Sequence, residues 1–260
     1  MNDIKAIFFD IDGTLVSFNT HKVPQSAIDS IAALRANGIK TFVATGRMIG
    51  ALNVVESLKF DGYVAYNGAY CVTAEGKLVF SSPIDRNDLV KLANMLENDH
   101  FPVAFMKLHE TTINYVDNTV LEVLEQINLP VPRIEDPFQT IKEDVYQICI
   151  YSDTEKERQI LDEVLHNCIS NRWSNLFADI NMRGNHKSSG MDHMITHFGI
   201  DLKQTMAFGD GGNDIPMLKH AAIGIAMGNA DKNVKSNADY ITDTVDCEGI
   251  SKALEFFKLI

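Results

Sequence analysis

The run Ala6-Ile7-Phe8-Phe9 restricts the possible folds of this chain more than any other feature of its sequence. It is continuously apolar, without the alternation of a half-exposed strand, which is typical of a strand buried on both faces of a parallel sheet. An acidic segment, Asp10-Ile11-Asp12-Gly13-Thr14, follows at once. Ligands of open parallel sheets bind beyond the carboxyl ends of the strands. The run therefore predicts a parallel-sheet core with a functional loop directly after one of its strands.

Similar apolar strands alternate with helical segments towards both ends of the chain. Ile28, Ile31 and Ala32 have helical spacing, and Gly38 is placed to end that helix. This alternation predicts βαβ units and a Rossmann-like α/β core. The further predicted strands are 41–44, 63–66, 205–208 and 223–226. The further predicted helices are 51–58, 191–198, 215–220, a short one near Val234, and 250–257.

The middle of the chain has a different pattern. Two apolar runs, 71–73 and 78–80, flank Ala74-Glu75-Gly76, which predicts a hairpin. Further predicted strands lie at 103–106, 145–151 and 176–180, predicted helices at 89–96, 121–127 and 160–168, and a predicted loop at 130–137. We therefore expect an inserted α/β domain at residues 84–183, between core segments 1–83 and 184–260.

Charge and composition exclude several classes of partner. The net charge of −12 repels nucleic-acid phosphates and anionic membranes, so neither is an expected partner. It also repels phosphorylated metabolites, so a site for them needs local positive charge, such as a metal ion. The four cysteines form no CxxC pair, which argues against a zinc ribbon or a dense disulfide framework. The sequence shows no signal peptide and no apolar run of membrane-spanning length, which predicts a soluble, cytoplasmic protein.

Four segments carry candidate chemistry. They are Asp10-Ile11-Asp12-Gly13-Thr14, Thr45-Gly46-Arg47, Lys187, and Gly209-Asp210-Gly211-Gly212-Asn213-Asp214. Taken singly, each also fits a structural role, respectively a polar loop, a helix cap, a surface charge and a glycine-rich turn. An EF-hand is disfavoured, because Gly13 comes two positions too early and a strand precedes it.

Together these segments indicate a magnesium site. Carboxylates gathered at one end of a sheet repel one another unless a cation lies among them. Magnesium prefers carboxylates, carbonyls and water as ligands. The histidines form no HxH or HExxH pattern, and no GxxxxGK[ST] loop is present. A dinuclear metal phosphatase and a Walker-type nucleotide hydrolase are therefore less well supported.

In this order, the four segments resemble the four motifs of the haloacid dehalogenase superfamily. The long insert before Lys187, together with Asn67-Gly68-Ala69, makes the chain similar to the Cof-type sugar-phosphate phosphatases, which carry a class IIB cap. The resemblance extends from Ile7 to the last helix. It implies a hydrolase of small phosphate monoesters, above all hexose phosphates, with Mg²⁺ as cofactor.

The resemblance also implies roles for the motif residues. Asp10 corresponds to the nucleophile that forms an aspartyl-phosphate, and Asp12 to the general acid and base. Mg²⁺ would be bound by Asp10, the backbone carbonyl of Asp12 and Asp210, with Asp214 in a supporting position. The residues implied in phosphate or substrate binding are Thr45, Gly46, Arg47, Asn67, Lys187 and Asn213.

Substrate selectivity and assembly stay open at this point. Arg172, Trp173 and Asp179 are candidate contacts of the cap with a polyol, although a packing role fits them equally well. A phosphomutase would share the aspartyl-phosphate chemistry, and a non-catalytic metabolite-binding protein is a third hypothesis. We expect a monomer or a weak homo-oligomer.

Overall fold

The computed structural model describes residues 3–127, 129–172 and 174–260. These residues form two compact units. The core unit comprises the chain up to Ser81 together with His186–Ile260, and the inserted unit comprises Ser82–Asn185. No helix of the described residues combines the length and apolar character needed to cross a bilayer.

The described residues form fourteen strands and nine α-helices. The strands are β1 (Ala6–Phe9), β2 (Lys40–Ala44), β3 (Gly62–Ala65), β4 (Tyr70–Thr73), β5 (Leu78–Ser81), β6 (Val103–Lys107), β7 (Thr111–Ile113), β8 (Arg133–Ile134), β9 (Val145–Ile150), β10 (Cys168–Asn171), β11 (Ala178–Met182), β12 (Thr205–Gly209), β13 (Ile223–Ala226) and β14 (Tyr240–Ile241). The helices are α1 (Gln25–Ala36), α2 (Arg86–Asn98), α3 (Asn118–Gln126), α4 (Pro137–Thr140), α5 (Thr154–Glu163), α6 (Lys187–Phe198), α7 (Ile215–His220), α8 (Lys232–Lys235) and α9 (Gly249–Phe256).

The core unit is built on one sheet with the strand order β14-β13-β12-β1-β2-β3-β4-β5. The six strands from β14 to β3 are parallel, whereas β4 and β5 extend the sheet as an antiparallel hairpin. Sequence order runs outward in one direction from β1 and in the other from β12. The switch point of this topology therefore lies between β1 and β12, where ligands of such sheets bind.

Strand β1 is buried on both faces, which confirms the prediction from its apolar run. Ile7 and Phe9 belong to one buried cluster, and Ala6 and Phe8 belong to the cluster on the opposite face. The ring of Phe8 stacks on that of Phe42 with a centroid separation of 4.8 Å. Helical layers on both sides of a central parallel sheet confirm the predicted Rossmann-like α/β core.

The inserted unit has its own six-stranded sheet, with the order β10-β11-β9-β6-β7-β8. It is antiparallel except for the short pairing of β7 with β8. One buried cluster includes residues of α2 and α5 and alternate residues of β6 and β9, such as Phe105 and Ile148. A second cluster includes α3 and the opposite alternates, such as Ala104 and Cys149. The unit therefore has a hydrophobic core of its own, independent of the parallel sheet.

Several local predictions were wrong. The predicted helix 51–58 is a 3₁₀ segment, Ile49–Val55, interrupted at Ala51. The predicted helix 160–168 is displaced, because α5 ends at Glu163 and Cys168 begins β10. The predicted loop 130–137 contains β8, and Pro137 occupies the first turn of α4, where its missing N–H is harmless.

Candidate active site

The predicted site residues of the core unit lie at the carboxyl ends of neighbouring parallel strands. Asp10 and Asp12 follow β1, Thr45 follows β2, and Asp210 follows β12. Lys187 is the first residue of α6. Because β12, β1 and β2 are adjacent in the sheet, residues almost two hundred positions apart in sequence become neighbours.

Lys187 joins two of the predicted acids in a buried ion-pair cluster. Its Nζ donates to Oδ1 of Asp10 at 2.5 Å and to Oδ1 of Asp214 at 2.6 Å. The Lys187 side chain is 1% exposed, that of Asp10 9% and that of Asp214 0%. A positive charge at the start of a helix is electrostatically unfavourable by itself, so these carboxylates must compensate for it.

Asp214 also shapes the loop that carries Asp210. Its Oδ2 accepts hydrogen bonds from the backbone N–H groups of Asp210 at 2.9 Å and Gly211 at 2.8 Å. The carboxylate of Asp214 is thereby bound on both oxygens, by the loop backbone and by Lys187. This arrangement fits the supporting role implied for Asp214.

The Asp210 carboxylate is oriented by two further polar side chains. The hydroxyl of Thr14 donates to Asp210 Oδ1 at 2.8 Å, and the amide Nδ2 of Asn229 donates to Oδ2 at 3.2 Å. Asn229 Nδ2 also donates to the carbonyl of Gly13 at 2.8 Å, while its Oδ1 accepts from the N–H of Val245. Gly13 has φ +82°, and a Cβ at this position would lie 2.1 Å from Asp210 Oδ2. Only glycine therefore fits here.

Asn229 is a residue of this cluster that the sequence reasoning missed. It lies three residues after β13, the neighbour of β12, just as Asp12 lies three residues after β1. The predicted strand 223–226 carried that signal, because polar residues after each parallel strand of a core are candidates for the shared edge.

Burial and crowding shift the protonation of the cluster. Burial, with the nearby charge of Asp214, raises the pKa of Asp10 well above its ordinary value despite the opposing effect of Lys187. Burial and Asp214 likewise raise the pKa of Asp210 to about 7. Burial lowers the pKa of Lys187, but the charges of Asp10 and Asp214 outweigh it and raise that pKa above the ordinary value. Three carboxyl groups therefore share one ammonium group, and the raised pKa values of Asp10 and Asp210 favour their protonated forms when no cation is bound.

The donor set fits a hard divalent cation. One carboxylate oxygen from each of Asp10, Asp210 and Asp214 lies within 4.8 Å of the others. Oxygen ligands of this kind suit Mg²⁺, and a cation among them favours the ionised carboxylates that burial disfavours. Thr14 and Asn229 hold Asp210 in place, as groups around metal ligands do.

Asp12 does not join this cluster through its side chain but pairs with Arg47. Nε and Nη2 of Arg47 donate to Oδ2 and Oδ1 of Asp12 at 2.8 and 2.7 Å. The side chain of Asp12 is 38% exposed and that of Arg47 is 24% exposed. The candidate acid therefore lies at the more accessible side of the site.

The loop after β2 is held by an unusual turn that follows β3. Tyr66, Asn67 and Gly68 all have positive φ, at 50°, 53° and 102°. The N–H groups of Tyr66 and Asn67 donate to the carbonyls of Arg47 and Thr45. A bulky residue in the left-handed region is strained, and such strain is found at functional sites.

Gly68 and Asn67 extend this turn towards the other site segments. A Cβ on Gly68 would lie 2.3 Å from the carbonyl of His186, so this glycine allows the start of α6 to come close. Asn213 Nδ2 donates to Asn67 Oδ1 at 3.0 Å. The structure thus brings Asn67 and Asn213 together. Gly46 lies beside them, and a Cβ added to it would lie 3.2 Å from the amide nitrogen of Asn67.

The three candidate contacts of the insert have different surroundings. Arg172 forms an ion pair with Glu157 and donates to the carbonyls of Ser152 and Ser174 at 2.9 and 3.1 Å. Asp179 lies on β11, opposite Cys149 of β9. Trp173 lies outside the described residues. The contacts of Arg172 support the packing alternative for that residue.

Comparison with known proteins identifies strong similarity over almost the whole chain. A sequence model of the haloacid dehalogenase-like hydrolases matches residues 7–254. The solved structure of the HAD subclass IIB sugar phosphatase BT4131 superposes with a TM-score of 0.90 at 39% identity. That comparison covers 98% of this chain and 100% of the other.

Curated relatives are similar over comparable lengths. The Bacillus subtilis protein named "Putative phosphatase YkrA" is 30% identical over 260 residues, covering 99% of both chains. The Bacillus subtilis 5-amino-6-(5-phospho-D-ribitylamino)uracil phosphatase YcsE is 28% identical and covers 99% of this chain and 97% of its own. All three proteins are named as phosphatases, and the two whose names give a substrate, BT4131 and YcsE, differ in it.

Proposed function

Because this chain belongs to the haloacid dehalogenase-like hydrolase family and is a phosphatase, we propose that it hydrolyses small sugar phosphates, using Asp10 as nucleophile and Mg²⁺ as cofactor. The observation that carries the proposal is the buried cluster in which Lys187 lies between Asp10 and Asp214 with Asp210 beside them. The similarity to a subclass IIB sugar phosphatase at 39% identity supports the choice of substrate class.

In the first half of the reaction, a carboxylate oxygen of Asp10 attacks phosphorus in line with the ester oxygen. The new bond joins Asp10 to phosphorus, and the bond between phosphorus and the ester oxygen breaks. Asp12 donates its proton to the departing ester oxygen, so that the leaving group departs as a neutral alcohol. Lys187 fixes the orientation of Asp10 and reduces the repulsion between this carboxylate and the incoming phosphate dianion.

In the second half, water hydrolyses the aspartyl-phosphate. Asp12, now ionised, accepts a proton from the attacking water, so that inorganic phosphate and the original Asp10 carboxylate are released. Thr45, Gly46, Asn67 and Asn213 are the proposed phosphate-binding groups of the surrounding loops. Asp10, Asp210 and the backbone carbonyl of Asp12 would hold Mg²⁺, which would supply positive charge to the phosphoryl oxygens.

The inserted unit is the proposed source of substrate selectivity, as in enzymes whose second domain recognises the leaving group. Arg172, Trp173 and Asp179 stay predictions in this respect. The substrate named for YcsE is the main competitor of a hexose phosphate, because that relative also covers the full chain.

A turnover screen tests the proposal. Phosphate release is measured with Mg²⁺ over a panel of sugar, nucleotide and ribitylaminouracil phosphates, for the native chain and for Asp10→Asn. We expect release from at least one sugar phosphate, and a loss of about 10³-fold or more in the variant, because the covalent path is removed. Asp29→Asn, at an exposed position of α1, is the matched control and should turn over normally.

Three results would contradict parts of the proposal. Undiminished turnover by Asp10→Asn would exclude this residue as nucleophile. Interconversion of phosphate isomers without release would indicate a phosphomutase. Tight binding of an ester with no turnover of any would indicate a metabolite-binding protein.

A further inference from the structure

Arg47 is engaged by the protein itself on every side of its guanidinium group. Nε and Nη2 donate to the two oxygens of Asp12, and Nη1 donates to the carbonyl of Ala51 at 3.4 Å. The bond lengths to Asp12, 2.8 and 2.7 Å, are typical of charge-assisted hydrogen bonds. This is the planar, two-bond geometry in which guanidinium and carboxylate groups match best.

The backbone of Arg47 is fixed as well. Its N–H donates to the hydroxyl of Thr45 at 3.1 Å, and its carbonyl accepts from the N–H of Tyr66 at 3.1 Å. Tyr66 belongs to the strained turn after β3, and its own hydroxyl accepts from the N–H of Ile49. The backbone of Arg47, in the loop after β2, is therefore held by the turn after β3, while its side chain reaches Asp12 in the loop after β1.

This arrangement determines how the Asp12 carboxyl group is presented. A two-bond contact fixes the plane of the carboxylate as well as its position, whereas a single hydrogen bond leaves rotation possible. Asp12 lies in a loop and its side chain is 38% exposed, so packing alone does not fix its rotamer. Proton transfer requires the acid within hydrogen-bond distance of the ester oxygen, and small misplacements reduce the rate strongly.

We propose that Arg47 is a positioning residue that acts through Asp12, orienting this carboxyl group for proton transfer, and that its main task is not to hold the phosphate. The inference rests on the proposed function, because it assigns Arg47 a part in the acid–base step of that reaction. It changes the phosphate-binding role that the sequence resemblance implies for Arg47.

The two roles predict different dependence on the leaving group. A sugar alkoxide departs only when it is protonated, whereas p-nitrophenolate is stable enough to depart without an acid. Misplacing Asp12 should therefore slow the cleavage of sugar phosphates much more than that of p-nitrophenyl phosphate. Removing a phosphate-binding group should slow both esters equally, because the phosphoryl group is the same in each.

The experiment compares Arg47→Ala and Arg47→Lys with the native chain on a hexose 6-phosphate and on p-nitrophenyl phosphate. The quantity measured is kcat/KM, which covers the steps up to departure of the leaving group and omits hydrolysis of the aspartyl-phosphate. For Arg47→Ala we expect a loss of about 10²-fold on the hexose phosphate, the lower end of the contribution of a general acid. The loss on p-nitrophenyl phosphate should be several-fold at most, and Arg47→Lys should restore part of the hexose phosphate activity.

Two further measurements separate positioning from phosphate binding and from damage to the fold. The inhibition constant of inorganic phosphate should be nearly unchanged in Arg47→Ala, and so should the melting temperature. In an Asp12→Asn background, adding Arg47→Ala should cause little further loss on either ester, because the group that Arg47 orients is already absent.

The inference is overturned by equal losses of kcat/KM on the two esters, by a large rise in the phosphate inhibition constant, or by additive losses with Asp12→Asn. Each of these leaves the phosphatase proposal intact, because the native chain still hydrolyses both esters. Failure of the native chain to hydrolyse either ester would instead overturn both proposals.

Discussion

Two buried lysines face carboxylates in this protein, and their surroundings differ. Lys187 of the core unit contacts Asp10 and Asp214, whose side chains are 9% and 0% exposed. Lys107 of the inserted unit contacts Glu110 and Glu143, each at 2.8 Å, whose side chains are 43% and 66% exposed. The two lysines are alike in burial. The anions around Lys187 are desolvated, whereas the two nearest Lys107 are solvated, and Glu135, which is 18% exposed, lies farther from the Lys107 ammonium group at 3.5 Å.

The pKa shifts of the anions are opposite in sign. Hydrogen bonds from Lys107 and Arg133 lower the pKa of Glu110, so its charged form is stabilised by its partners. Burial and Asp214 raise the pKa of Asp10 and Asp210, although Lys187 is close to both. The inserted unit therefore uses its ion pairs for local structure, whereas the core unit gathers more buried carboxyl groups than its one lysine neutralises, and a bound cation would favour their ionised forms.

The largest expected difference is in the effects of removing the two lysines. Lys187→Met should lower kcat/KM by about 10²–10³-fold, as removal of a single electrostatic group at a reaction centre does. Lys107→Met is the matched variant. Its loss in kcat/KM should be at least about 100-fold smaller, and its main effect should be a reduced free energy of unfolding. Activity assays and urea unfolding of both variants test this. Equal losses of activity would mean that the contrast between the two clusters has no functional meaning.

The next difference is in the pH dependence of stability without metal. The pKa of Asp210 is about 7 in the folded chain, against an ordinary 3.8, so the folded state keeps this proton to higher pH than the unfolded state. The free energy of unfolding should therefore fall as the pH rises from about 4 to about 7, and then level off, as far as this group is concerned.

Asp210→Asn removes that effect. Its stability relative to the native chain should increase across this pH range by on the order of 4 kcal/mol, since the pKa of Asp210 differs by about three units between the folded and unfolded chain and one pKa unit corresponds to about 1.4 kcal/mol. The measurement is urea unfolding with chelator at several pH values, with Asp29→Asn as control. Excess Mg²⁺ should stabilise the native chain above pH 7 and have little effect on Asp210→Asn. A constant difference in the free energy of unfolding between the two chains over the whole pH range would show that Asp210 is already ionised in the folded chain without metal.

The sequence predicted this cluster well because strong local signals coincide with the topology. The apolar run 6–9 defined β1, and the acids that follow it are near Asp210 because parallel strands end at one edge. The pairing of Asp12 with Arg47 was not predictable, because side-chain partners across two loops leave no trace in spacing. Asn229 was missed although it follows the predicted strand 223–226, since one asparagine after a strand has many possible roles.

The inserted unit was predicted less accurately, for physical reasons. Strands β7 and β8 have three and two residues, too few for a period of two to be recognised. Strand β10, Cys168-Ile169-Ser170-Asn171, ends in two polar residues and has no clear strand pattern, and its pairing with β11 makes it a strand. Tertiary pairing therefore outweighed local preference here, whereas in the core strands β1, β2, β3, β12 and β13 the two agreed.

The smallest expected effect comes from Glu143, the most exposed anion of the Lys107 cluster. Glu143→Gln should change the free energy of unfolding by about 0.5 kcal/mol or less, because exposed ion pairs contribute little and Glu110 also contacts the same ammonium group. Asp214→Asn is the matched variant in the core, where the lost oxygen charge faces two backbone N–H groups and Lys187 without solvent. Its loss of stability should exceed about 1 kcal/mol, the usual effect of a buried polar group left without its partner. If both variants unfolded at the same urea concentration, solvation of the carboxylates could not be what separates the two lysine clusters.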